Sequence, residues 1–188
     1  MIAEDKTDCS ALTIIIKRLL GDGVKVRVKS GRGCARMRKK VRPWANDLAR
    51  QGCQVLIMVH DLDRDPNSGH LNDEEALRTR LKEVFETPKD VDKYICIPKE
   101  ELEAWFWSDL NVLRKVSRNP AYTRECHEPE GKKKPKEALM RLSRDSNGKA
   151  RYSTNDNPEL ARILDLEQCA LKCRAFQMVK NFVESAVN

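Results

Sequence analysis

Residues 55–65 read VLIMVHDLDRD, five apolar residues running directly into a histidine and three aspartates. An unbroken apolar run of this length marks a strand buried on both faces, as in the middle of a parallel sheet. Side chains alternate along a strand, so Asp61 and Asp63 fall on one side where the run leaves the sheet. Open α/β sheets bind ligands at the carboxyl ends of their strands. Hard cations such as Mg²⁺ are held there by one or two carboxylates with water and phosphate oxygens. The pattern predicts metal-dependent chemistry on a phosphate. Because the loop continues with Pro66, Asn67, Ser68 and Gly69, it also reads as a plain solvated turn.

Working outward, residues 1–3 form a short first strand, and residues 8–20 have helical spacing with Leu12, Ile15, Ile16 and Leu19 inward. Val24, Val26 and Val28 alternate with Lys25, Arg27 and Lys29, which predicts a half-buried strand near a sheet edge. A helix over 35–51 carries an internal Pro43 that kinks it or starts a new turn. Beyond the acidic loop, Asn72 to Glu75 offer a cap and first-turn acids for another helix, followed by a strand at 94–97. Residues 99–107 form a short helix whose Trp105, Phe106 and Trp107 suit a core better than a partner surface. Strands alternating with helices at these lengths imply an α/β fold with a parallel four-stranded sheet flanked by helices.

After residue 109 the pattern turns to helices and loops. Helices are expected over 110–116 and 136–142, with a polar, Pro-rich loop over 119–135 between them. A further helix has Asn157 as cap and Pro158 at its first position, and an amphipathic helix covers 174–187. Residues 1–108 thus read as an α/β core and 109–188 as a helical extension packed on it, a lid or buttress rather than an independent domain.

An apolar fraction of 40% suffices for a core, while 35% charged residues and a mean hydropathy of −0.65 imply a soluble protein with a heavily ionised surface. No apolar run approaches a membrane span, and the amino terminus lacks the basic and apolar regions of a signal peptide, so the expected location is cytoplasmic. Seven cysteines, an odd number without a C-x-x-C pair, read as reduced thiols packed as small hydrophobes. Cys126-His127 with Cys169 and Cys173 has none of the usual zinc spacings.

The net charge of +7 is uneven. Residues 25–42 hold nine basic residues and no acid, a run that reads either as a solvated helix face or as a phosphate-binding surface. Its place beside the aspartates favours phosphate. A second basic segment, Lys132, Lys133, Lys134 and Lys136, reads as a phosphate-contacting loop or a disordered one.

Glu4 in the run IAEDKTD, followed by Asp61-x-Asp63 after a later strand, resembles the Toprim fold of topoisomerases, primases and OLD-type nucleases. Over almost its whole length the chain is more similar still to small stand-alone Toprim-like proteins of bacterial defence loci, often found beside ATPases. The runs IPKEELEAWF and PELARILDLE carry that likeness. Where the family has glycine after the first glutamate, this chain has Asp5, which adds a carboxylate.

The resemblance implies a metal-dependent nuclease acting on DNA or RNA, the toxic effector of an anti-phage system restrained by an ABC- or SMC-like ATPase. Mg²⁺ or Mn²⁺ would be held by Asp61 and Asp63, with Glu4 as further ligand or general base. Asp65 and Glu103 or Glu100 are candidates for a second metal, although both glutamates also read as an exposed helix start. Lys6, Arg36, Arg38 and Lys39 would neutralise phosphates. His60 would orient water or donate to the leaving oxygen, unless it is a packed or capping residue. A non-catalytic adaptor that binds an ATPase or nucleic acid, hydrolysis of a small phosphate, and an oligomeric assembly are the remaining expectations.

Overall fold

A computed structural model describes residues 1–186. Strands β1 (Ile2–Ala3), β2 (Lys29–Ser30), β3 (Val55–Val59) and β4 (Asp92–Cys96) pair in parallel in the order β2-β1-β3-β4. Ile2 lies opposite both Lys29 and Met58, and β3 and β4 pair along their full length from Val55 with Asp92 to Val59 with Cys96. The connections from β1 and from β3 leave in opposite directions across the sheet. The crevice between their carboxyl ends is thus the topological switch point, where such sheets bind ligands.

Alternation along β3 explains the two layers around the sheet. Ile57 and Val59 face one apolar cluster, shared with Cys9, Leu12, Ile15 and Ile16 of helix α1 (Lys6–Leu20). Leu56 and Met58 face the other, built from helices α2 (Cys34–Arg50) and α3 (Glu74–Val84) through Met37, Val41, Ala45, Leu48, Leu77 and Leu81. The first layer continues into the helical extension. It takes in a 3-10 helix (Leu102–Ser108) and helices α4 (Leu110–Ser117), α5 (Pro135–Leu142), α6 (Asn157–Ile163), α7 (Leu166–Lys172) and α8 (Arg174–Ser185). Trp105 and Phe106 are fully buried, and Trp105 meets Phe176 of α8 edge-on at 5.0 Å. Arg18 of α1 ties α6 down by donating to the carbonyls of Ala161 (2.8 Å) and Leu164 (2.7 Å). The extension therefore shares one core with the sheet. All seven cysteines are free thiols, and Cys9, Cys96, Cys169 and Cys173 are buried.

Three expectations change. Val24 to Val28 form no strand. β1 offers only Ile2 and Ala3, in register with Lys29 and Ser30, so the valines lie opposite no strand residue, and Val24 and Val26 pack half-buried on the core as loop. Pro43 sits inside a continuous α2 on its exposed side, where loss of one helical hydrogen bond buries no unpaired group in the core. Asn157 is not the cap of α6. Asp156 holds that position after a 3-10 turn (Thr154–Asp156), and the Asn157 side chain turns inward. Residue 187, included in the expected last helix, lies outside the described residues.

The turn after β2 sets the start of the switch point. The Gly31 and Gly33 N–H groups both donate to the Glu4 carbonyl, at 3.1 and 3.0 Å. A Cβ on Gly31 would stand 2.7 Å from the Met37 Cβ, 2.8 Å from the Gly33 oxygen and 2.9 Å from the Met37 nitrogen, and the two backbone contacts cannot yield without moving α2. Gly31→Ala is expected to destabilise the protein by about 2 kcal/mol, measured by urea unfolding, and to displace Glu4.

Candidate functional site

Both edges of the crevice carry acids. Glu4 follows β1, and Asp61 and Asp63 follow β3. The ladder between β3 and β4 extends past the strands, with His60 N–H donating to the Cys96 carbonyl (3.1 Å) and Leu62 N–H to the Pro98 carbonyl (2.8 Å). Alternation therefore persists through residue 63. His60 and Leu62 are buried, and Asp61 and Asp63 project from the opposite side, half-buried and exposed respectively.

The two edges are joined directly. Glu4 Oε1 accepts the Asp61 N–H at 3.2 Å and lies 3.2 Å from His60 Nδ1, which is also 2.8 Å from the Asp61 carbonyl. Two oxygen acceptors around Nδ1 require the proton there. Burial holds His60 below its usual range, so the ring is neutral and Nε2 is an acceptor, buried without a protein partner. The contact with Glu4 is a hydrogen bond rather than a salt bridge. His60 thus orients Glu4 and Asp61 and leaves Nε2 open to a water.

Two further acids belong to the group. Asp8, one turn into α1, and Glu103, buried in the 3-10 helix, both act on Asp61, whose carboxyl is held well above the carboxylate range first by burial and then by Asp8, Glu4, Glu103 and Asp63. Burial, then Asp63, pushes Glu4 up to about 7. Asp8 rises to about 8 through burial, Asp5, Glu103 and Glu4. Asp63 and Glu103 are raised too, each chiefly by burial. Asp8 is the acid that sequence reading missed. Glu4 lies before the extended N-cap, outside the helix, so helical spacing does not link the two acids and the sequence held no signal for Asp8. The additional Asp5 is the N-cap of α1, accepting from the N–H groups of Thr7 (2.7 Å) and Asp8 (3.0 Å).

Other expected ligands stand apart. Asp65 organises the turn that follows: Oδ1 accepts from the N–H groups of Asn67 (3.0 Å) and Ser68 (2.7 Å), and these bonds hold its carboxyl below the usual range. Glu100 is buried and not at an exposed helix start. It pairs with Arg64, which also donates to the Gly69 carbonyl (2.8 Å), and it accepts from Lys134 N–H, so it clamps the loop after Asp63 to α5. Glu100 adopts a positive φ of 64°, a conformation that side chains tolerate only where the surroundings enforce it.

Among the basic residues, Arg38 on α2 lowers the proton affinity of Glu4, Asp63 and His60. Lys6, Arg36 and Lys39 are exposed nearby in sequence on the first turns of α1 and α2. The second basic segment is ordered. Lys132 lies 3.7 Å over the Trp107 ring, and Lys136, fixed by Glu101 at 2.8 Å, faces Asp63 and Glu103.

Among the described residues, no three His, Cys, Asp or Glu side chains stand close enough together to grip a metal ion. The donor chemistry nevertheless fits a hard divalent cation: carboxylate oxygens around the strand ends, whose protons burial and then the neighbouring acids retain toward neutral pH. No helix among the described residues is long and apolar enough to cross a membrane. The family model of a domain of unknown function, DUF4276, matches residues 3–184. No curated protein and no solved structure matches the chain.

Proposed function

The chain belongs to the DUF4276 family, and we propose that its acidic crevice is the metal centre of a phosphodiesterase acting on DNA or RNA. The observation that carries this reading is the convergence of Glu4, Asp8, Asp61 and Glu103 at the switch point of a parallel sheet, with Asp63 at its mouth and Arg38 and Lys136 beside it. Mg²⁺ or Mn²⁺ bound there supplies Lewis-acid polarisation of a phosphoryl oxygen and lowers the proton affinity of water. Asp61 and Asp63 would hold the ion, with Glu103 and Asp8, whose charges act on Asp61, as the further carboxylates that would have to close on it.

The remaining chemistry belongs to the protein. Glu4, with a pKa near 7, takes and returns a proton at neutral pH, and the His60 N–H fixes which of its oxygens is engaged. Arg38 and Lys136 would receive phosphate oxygens, and the basic face of α2 would track the polymer backbone. As a defence effector such an enzyme needs restraint, which an ABC- or SMC-like ATPase partner would supply. That part of the proposal rests on the resemblance of the sequence.

The test is incubation with supercoiled plasmid, single-stranded DNA and total tRNA, each with Mg²⁺, Mn²⁺ or EDTA. Cleavage is expected to need metal and to fall by roughly 10²-fold or more in the Asp61→Ala/Asp63→Ala variant. Cleavage that survives EDTA or the double substitution overturns the proposal. Metal and polymer binding without cutting moves the reading to an adaptor.

A further inference from the structure

Glu103 enters the acidic crevice from the 3-10 helix, yet the groups that hold it come from the helical extension. Asn157, the first residue of α6 and fully buried, donates from Nδ2 to Glu103 Oε1 at 3.0 Å. Its Oδ1 accepts the Tyr152 hydroxyl at 2.6 Å. Tyr152 is buried in turn, and its backbone N–H donates to the Ser143 hydroxyl at 2.9 Å.

Each contact leaves the next one little freedom. Burial and Glu103 raise the proton affinity of the Tyr152 hydroxyl, so it stays protonated and donates. An amide whose oxygen is taken by that hydroxyl must present its NH₂ to the carboxylate, which settles which way the Asn157 side chain lies. A network of this kind is a costly way to fill a core. Three polar side chains lose water, and an apolar set of similar volume serves stability as well. Asn157 does not serve its own helix either, since Asp156 stands at the N-cap and the Asn157 side chain is engaged by Tyr152 and Glu103. What the network does provide is a carboxylate with one oxygen engaged, whose charge acts on Asp61 and Asp8.

We infer that Asn157 and Tyr152 are positioning residues for Glu103, so that the helical extension completes the acidic crevice. The inference rests on the reading of that crevice as a metal centre. Outer partners of metal-binding carboxylates typically matter by about 10–100-fold in affinity.

Mn²⁺ titrated calorimetrically into the full chain tests this, with a melting curve for each protein. Tyr152→Phe keeps the ring and removes only the hydroxyl. It is expected to melt somewhat below wild type, since it leaves the buried Asn157 Oδ1 without the hydroxyl, but above Asn157→Ala, and to bind Mn²⁺ about 3–10-fold more weakly. Asn157→Ala is expected to lose about 10–100-fold in affinity and also stability, since it leaves the tyrosine hydroxyl without a partner. Adding Tyr152→Phe to Asn157→Ala removes that orphan. The double variant is expected to regain stability while its affinity stays where Asn157→Ala set it, a separation that a purely structural role does not produce. Affinity that returns together with stability, or variants that bind as wild type does, overturn the inference and leave the metal centre standing. A wild-type protein that takes up no Mn²⁺ overturns both. If Asn157→Ala does not fold, Tyr152→Phe decides alone, and unchanged affinity there is the adverse result.

Discussion

At pH 8, Asp61→Asn is expected to melt about 4–8 °C higher than wild type in the absence of metal, and to lose the response to Mg²⁺ and Mn²⁺ altogether. The gain follows from where Asp61 stands. Its carboxyl is pressed by burial and by four other acids, all of which disfavour its charge. At pH 8 the folded chain either keeps this charge buried or binds a proton that the unfolded chain has released, and an amide avoids both costs; the relief is on the order of 2 kcal/mol, and a domain of this size gains about 2–4 °C per kcal/mol. The substitution spares the contacts that build the crevice, because Asp61 holds Glu4 and His60 through its backbone N–H and carbonyl. The difference should shrink as pH falls and vanish below about pH 4, where the unfolded chain holds its Asp61 proton as well. Stability gained by discarding a functional charge is the ordinary trade between a site and its fold. Scanning calorimetry in EDTA checks the prediction, and equal melting at pH 8 would remove the electrostatic account of the crevice.

The same residues show what the sequence could and could not disclose. The apolar run at 55–59 has one reading, because only a strand covered on both faces uses five such residues in a row, and the acids that follow inherit its alternation. Trp105 and Phe106 were equally legible, since large rings at that spacing seldom have anywhere to go but inward. Val24 to Val28 misled because alternation reports half-burial, and a loop lying on the core satisfies it as well as a strand does. Asp8 stood merely as the first residue of an expected helix, and Asn157 looked like a cap before a proline. Both are ordinary at helix starts, and only the packing of α6 on α1 and of the extension on the sheet shows that their side chains face the crevice. Glu100 and Asp65 carried the opposite risk: acids near the site in sequence are committed to Arg64 and to a turn.

Without metal, the protein is expected to become less stable as pH rises from about 4.5 to 8; with millimolar Mn²⁺ a large part of that loss should be offset. Glu4 moves from an ordinary 4.5 to about 7 on folding, and Asp8 from 3.8 to about 8. In each case the folded protein binds the proton more tightly than the unfolded chain. Their contribution is therefore favourable at low pH and is lost as pH climbs through this window, levelling off above 8. For Glu4 alone the loss is about 3 kcal/mol at about 1.4 kcal/mol per unit of pH, and coupling among the acids makes the whole less than a simple sum. A cation competes for the same oxygens only once the protons leave, so its affinity rises over the window in which the metal-free protein weakens. Saturation at about 100 times the dissociation constant returns about 2.7 kcal/mol at pH 8 and far less at pH 5. The quantity to measure is the difference between melting temperatures with Mn²⁺ and with EDTA across this range, since it cancels residues that titrate without regard to metal. A difference that grows with pH in wild type and stays flat near zero in Asp61→Asn is the expected result. A difference independent of pH would mean that the ion binds elsewhere than on these carboxylates.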